Sequence, residues 1–254
     1  MKIKNVIYNF LESMGYLKNS DIEGIIFYGS YQTNTNTENS DIDLIIVYND
    51  NSNKEDVKGY RNFSGYKFEY FERKLKNLYN RVNRDYDNFE DTLLSVIGYG
   101  EILVDKNKEI EKLKSFVLDK YRYGLPKLNE NDKLYYGKAL QKSIENLDFM
   151  NKNNNPYFKI YYALTLDKIR DYYNKLYGFS NMSTSKVYKL YTDEKMKVVQ
   201  HKIMPEDKFI KLYIDCIKDI KYENIVTLYE YSIKNFSNKI DFYNIRLKLG
   251  NKQH

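Results

Sequence analysis

Apolar residues at Ile3, Val6, Ile7, Phe10, Leu11 and Met14 recur three and four apart, the spacing of one helix face, and Gly15 stops the pattern. Gly24-Ile25-Ile26-Phe27-Tyr28 is a short continuous apolar run that predicts a buried strand ending at Gly29. Tyr31 to Ser40 is Thr, Asn, Gln and Glu, a polar loop with room for one helical turn. Asp41 to Tyr48 predicts a second strand and Asn49 to Asn53 a turn. Tyr66 to Phe71, after Gly65, predicts a third strand, and Lys74 to Val82 a helix. Glu101-Ile102-Leu103-Val104 predicts a fourth strand, followed by a helix over Lys108 to Tyr121.

The texture changes after Gly124-Leu125-Pro126. Tyr136, Leu140, Ile144 and Leu147 mark one helix face, and Asn151 to Pro156 closes it. Pro156 suits the first turn of the next helix, which the pattern carries to Tyr177 before Gly178. Two more helices fit Glu206 to Ile220 and Glu223 to Phe236. The expected fold is α+β: a mixed sheet with flanking helices over residues 1–125, then a helical bundle over residues 126–254.

Composition narrows the class. The chain has 254 residues, enough for one large domain or two small ones, and its 42% hydrophobic and 30% charged residues are ordinary for a globular protein. Coding bias accounts for its 28 tyrosines beside no tryptophan more readily than a demand for stacking surfaces. Its apolar runs fall short of the ~18 residues that cross a bilayer. The N-terminal MKIKNVIYNFLESMGY is amphipathic and lacks a cleavage site, so no membrane association is expected. With a lone Cys216 there is no internal disulfide framework, and the cytoplasm is the expected compartment. Residues 1–50 hold 3 basic and 7 acidic side chains, whereas residues 151–254 hold 19 and 11. The basic end would attract an anion. Diffuse lysine is more often a solvated face, so a nucleic-acid partner is allowed but not favoured.

Candidate chemistry concentrates between Gly29 and Glu69. On a strand, Asp41 and Asp43 would project to one side while Ile42 and Leu44 project to the other. Two adjacent carboxylates repel, and a hard, oxygen-preferring cation such as Mg²⁺ relieves the repulsion. Gly29 at a strand end lets backbone approach a phosphate, and the Ser30 hydroxyl and nearby amides can donate to it. Two-metal phosphoryl chemistry asks for a further carboxylate from a neighbouring strand. Glu69, in Lys67-Phe68-Glu69-Tyr70-Phe71, is the best candidate and Glu72 the runner-up; strand parity sets these two on opposite faces. His201 lies in a lysine-rich segment with no second histidine nearby and reads as a surface residue. Cys216 shares the stripe Phe209, Tyr213, Ile217, Ile220 and reads as core. No Walker loop or His-Glu-x-x-His helix is present.

Gly29-Ser30, ten intervening residues, then Asp41-Ile42-Asp43-Leu44 resembles the signature of the nucleotidyltransferase superfamily that includes DNA polymerase β. The Ser40-Asp41-Ile42-Asp43-Leu44 form is similar to the minimal and antibiotic nucleotidyltransferases, and the helical second half resembles the kanamycin and lincosamide enzymes in layout. Many members have a glycine where this chain has Asn34, a residue that tolerates the left-handed conformation. The resemblance implies that Asp41, Asp43 and Glu69 are catalytic and bind two Mg²⁺ ions. Gly29, Ser30 and Ser40 would bind the nucleotide, with ATP or another NTP as substrate. It also implies a base from the helical half, for which Glu145 and Asp148 are the candidates; as plain residues they read more readily as solvated helix charges.

The acceptor implied is a hydroxyl of a small molecule such as an aminoglycoside or lincosamide antibiotic. The positive balance of the helical half counts against a polycationic aminoglycoside. Transfer to a protein or an RNA end, as in antitoxin-like minimal nucleotidyltransferases, is the second reading, and a catalytically silent nucleotide-binding module the third. His201 and His254 have no arginine within the six residues before them, which argues against a fused ribonuclease. A homodimer that builds the acceptor cleft between subunits would resemble the antibiotic enzymes.

Overall fold

A computed structural model describes residues 2–237 and 245–246, so His254 lies outside the described residues. The architecture is the expected α+β one, a mixed sheet with flanking helices followed by a helical region. The chain divides into two compact units, Met1–Tyr123 with Val199–His201, and Gly124–Val198 with the described residues from Lys202 onward. In the first, α1 (Lys2–Ser13) precedes β1 (Ile22–Tyr28), β2 (Ile42–Tyr48), β3 (Val57–Phe63) and β4 (Tyr66–Lys74). Then come α2 (Leu75–Asp87), α3 (Thr92–Tyr99), β5 (Glu101–Asp105) and α4 (Glu109–Arg122).

The described strands form a sheet of order β3-β4-β2-β1-β5. β2 and β4 run parallel, and the other neighbours are antiparallel. Alternation divides each inner strand between two layers. Ile25 and Phe27 of β1, Ile42, Leu44, Ile46 and Tyr48 of β2, and Phe68 and Tyr70 of β4 form one core with Ile7, Phe10 and Leu11 of α1. There the Phe10 and Phe68 rings stack 4.0 Å apart. Ile26, Ile45 and Val47 serve the other face, where α4 lies so close to β1 that a Cβ on Gly24 would stand 2.2 Å from Ile110 Cγ1.

Two elements of this unit depart from the pattern reading. β3 was not expected: VKGYRNF has little apolar alternation because β3 is an edge strand with five of its seven residues exposed. Its partner is set by the Ser64-Gly65 turn, with φ of 49° and 81°, which closes a hairpin on the Phe63–Tyr66 pair. α3 was also missed, since TLLSVIGY is too short and too evenly apolar to show a period.

The second unit contains α5 (Glu130–Lys152), α6 (Phe158–Tyr177), α7 (Thr184–Thr192), α9 (Asp207–Lys218) and α10 (Tyr222–Ser237), with the six-residue α8 (Glu194–Val199) between α7 and α9. Asn129 caps α5 by accepting the Asp132 N–H at 2.9 Å, and Gly178 ends α6 at φ 78°. Pro156 falls two residues before α6 rather than inside its first turn. Tyr173 of α6 stacks on Phe209 of α9 at 3.9 Å, and Cys216 is fully buried, a core residue as its stripe implied. α7 and α8 were not anticipated from their lysine-rich sequence. Among the described residues no helix is long and apolar enough to cross a membrane.

Candidate active site

Strand register assembles the acidic centre. In the parallel β2–β4 ladder Asp43 stands opposite Glu69, and in the antiparallel β1–β2 ladder Asp43 stands opposite Tyr28. These three side chains therefore share the face away from α1, while their neighbours Leu44, Phe68 and Tyr70 fill the α1 core. Asp43 and Glu69 are both partly exposed, so the face is open to solvent at this end of the sheet.

Gly29 follows β1 at φ 80°, in the left-handed region, and the Asp43 carboxylate lies directly against it. A Cβ at Gly29 would fall 2.0 Å from Asp43 Oδ2 and 2.8 Å from Cγ. Glycine here serves both the turn and the seat of the aspartate. The following loop folds on itself. The Thr33 N–H donates to the Gly29 carbonyl at 3.2 Å, the Thr35 N–H to the Ser30 carbonyl at 2.9 Å, and Asn34 takes φ 54°. Asn34 thus adopts the conformation that makes it a workable replacement for glycine. The Ser40 hydroxyl accepts the Thr37 N–H at 2.8 Å, and so it staples the far end of the loop.

Asp41 immediately precedes β2 rather than lying in it. Strand register therefore fixes the face of Asp43, while Asp41 stands at the entry of β2, one residue before its first pair at Ile42. Among the described residues no three His, Cys, Asp or Glu side chains form a group placed to hold a metal ion. The pair Asp43 and Glu69 does fit a hard cation in donor chemistry and in register. A positive charge already rests there, since Lys58 Nζ of β3 lies 2.9 Å from Glu69 Oε1. Two carboxylates completed by substrate phosphate oxygens are a usual Mg²⁺ environment.

Glu72 is elsewhere. It accepts the Tyr16 and Tyr48 hydroxyls, each at 2.8 Å, on the α1 side of the sheet, which separates it from Glu69. Glu145 and Asp148 both lie on α5 of the helical unit. Asp148 is bridged by Lys152 at 2.6 Å, and Glu145 stands 3.9 Å from Lys142. His201 is exposed.

Sequence reasoning passed over Tyr28 and Lys58. Burial pushes the Tyr28 hydroxyl well above the usual phenol range, and the charges of Asp43 and Glu69 push it further, so a neutral donor faces the acidic pair. Tyr28 read as the last residue of an apolar run. Lys58 lay in a segment with no strand signal, and only the Ser-Gly turn pointed to the hairpin that carries it.

Residues 7–123 match the family model described as a nucleotidyltransferase domain. The match spans nearly all of the first unit, bears out the resemblance to the DNA polymerase β-like nucleotidyltransferase superfamily, and includes the strands that carry the acidic pair. A nucleotidyltransferase-like protein from Exiguobacterium sibiricum 255-15 is similar over 94% of this chain and 81% of its own, at 12% identity and a TM-score of 0.42. No curated protein matches the sequence.

Proposed function

We propose that the protein transfers a nucleoside monophosphate, AMP from ATP, to a hydroxyl of a small molecule such as a lincosamide or aminoglycoside antibiotic, with Mg²⁺. One observation carries the reading: Asp43 and Glu69 face each other across parallel strands, with Asp43 seated on a left-handed Gly29 at the start of a folded polar loop. In this proposal Asp43 and Glu69, joined by Asp41, hold two divalent ions, and Gly29 and Ser30 receive the β and γ phosphates. Bound Mg²⁺ would neutralise phosphate oxygens and lower the barrier to in-line attack at the α phosphate. Ser40 contributes by fixing the loop through Thr37. Tyr28 presents a protonated hydroxyl to the same face. Glu145 or Asp148 takes the acceptor proton as the acceptor oxygen bonds to the α phosphorus, and pyrophosphate leaves. The remaining task of the chain is positioning.

The test is incubation with each labelled NTP, Mg²⁺ and an antibiotic panel, with mass spectrometry of the products. A mass gain of one nucleotide on one acceptor is expected, and Asp43→Asn should slow it by about 100-fold or more. Equal transfer by Asp43→Asn would remove the metal assignment, and failure to bind any NTP with Mg²⁺ would remove the catalytic reading.

A further inference from the structure

Lys58 is placed on the carboxylate face by β3. Its strand partner is Phe71 and that of the neighbouring Tyr60 is Glu69, so all four side chains share one surface. The ammonium lies 2.9 Å from Glu69 Oε1, 4.9 Å from the centre of the Tyr60 ring and 5.1 Å from that of Phe71. The hydrogen bonds to the Tyr60 hydroxyl and to Glu69 raise the lysine above its ordinary value, so it is charged at neutral pH. An exposed ion pair often matters little. This one differs in its acid, because Glu69 is the residue that register sets against Asp43.

Two carboxylates side by side repel, and one cation on the pair relieves that repulsion. A lysine does so with one charge, a divalent metal with two. Both draw on the Glu69 carboxylate. The two rings offer the ammonium a second resting place beside the carboxylate, through attraction to their faces. We propose that Lys58 is the resident counterion of Glu69 and is displaced from it when metal enters, so that it weakens the binding of divalent metal to the protein alone. This rests on the functional reading above and adds to it a residue that competes with the metal for the site.

Mn²⁺ binding without nucleotide, followed through the electron paramagnetic resonance signal of the free ion, tests it on the full chain. Lys58→Met keeps the apolar stem and removes the charge, and it should tighten Mn²⁺ by roughly three- to tenfold at low salt. The gain should shrink as salt screens the site, because Lys58 and Glu69 are 42% and 22% exposed. Lys58→Gln should behave like Lys58→Met, and Lys58→Arg should stay within about twofold of the parent. In a Glu69→Gln background the gain should vanish. Mn²⁺ affinity that is unchanged or weaker in both neutral variants overturns the inference. Binding of a fluorescent NTP with Mg²⁺, measured on the same samples, separates the two levels. If nucleotide still binds, only the role of Lys58 falls; if the parent protein binds no nucleotide, the functional reading falls with it.

Discussion

Replacing Gly29 by alanine perturbs two quantities that the structure separates. The first is backbone strain: at φ 80° an L-residue pays about 1–2 kcal/mol for the left-handed conformation. The second is steric, because the new Cβ would lie 2.0 Å from Asp43 Oδ2, and real Cβ atoms keep beyond 3.0 Å. The carboxylate must therefore retreat by about 1 Å, and a misplacement of that size costs roughly 100-fold in rate where catalysis depends on positioning. Gly15 is the control. It has φ 73°, and nothing lies within 4 Å of where its Cβ would be. Gly15→Ala and Gly29→Ala should both lose about 1–2 kcal/mol in urea denaturation. Only Gly29→Ala should lose nucleotidyl transfer, by about two orders of magnitude. Parental transfer by Gly29→Ala, or an equal loss in Gly15→Ala, would refute the claim that Gly29 seats Asp43.

Glu72→Gln should lower stability by about 1–2 kcal/mol, because the Tyr16 and Tyr48 hydroxyls donate to different Glu72 oxygens and the amide keeps only one acceptor, yet leave transfer nearly at parental rate. Glu69→Gln should do the reverse, and comparing denaturation with transfer rates for both would expose a wrong assignment. Burial alone would raise the Asp56 carboxyl, but the Lys74 N–H, the Asn77 amide and Arg73 outweigh it and hold it below the usual carboxylate value. Its stabilising contribution is present above the ordinary carboxylate pKa and disappears as pH falls through the depressed native value. Thermal midpoints from about pH 6 to about 3 should therefore fall less steeply in Asp56→Asn. Burial pushes the Cys216 thiol up to about 11, so a thiol-specific disulfide reagent should label it slowly in the native protein and fully in denaturant. Rapid native labelling would contradict the core placement.

Much of the site was legible because its parts are local. Gly29-Ser30 and Asp41-Ile42-Asp43 stand within one loop and one strand, and the apolar alternation of Ile42, Leu44 and Ile46 says which face Asp43 must avoid. Glu69 could be chosen over Glu72 only as far as parity reached, for parity separates two faces without saying which one carries the aspartates. The α1-side packing of Tyr16 and Tyr48 decided that. The edge strand β3 was invisible to hydrophobic patterning because an edge strand that buries little has no apolar face to display.

The sequence by itself determined the α+β class, the strand that bears Asp43, the glycine that must precede it and the helical character of the second half. Each of these is written in spacings of a few residues, where side-chain period and backbone preference act directly. The tertiary structure decided which carboxylate Asp43 meets, that Asp41 lies outside the strand, that Tyr28 turns toward the acids, and that a lysine from an unannounced edge strand sits on Glu69. Those facts depend on register between segments far apart in the chain. Register is set by the packing of whole layers and the geometry of connecting turns, which no local pattern contains.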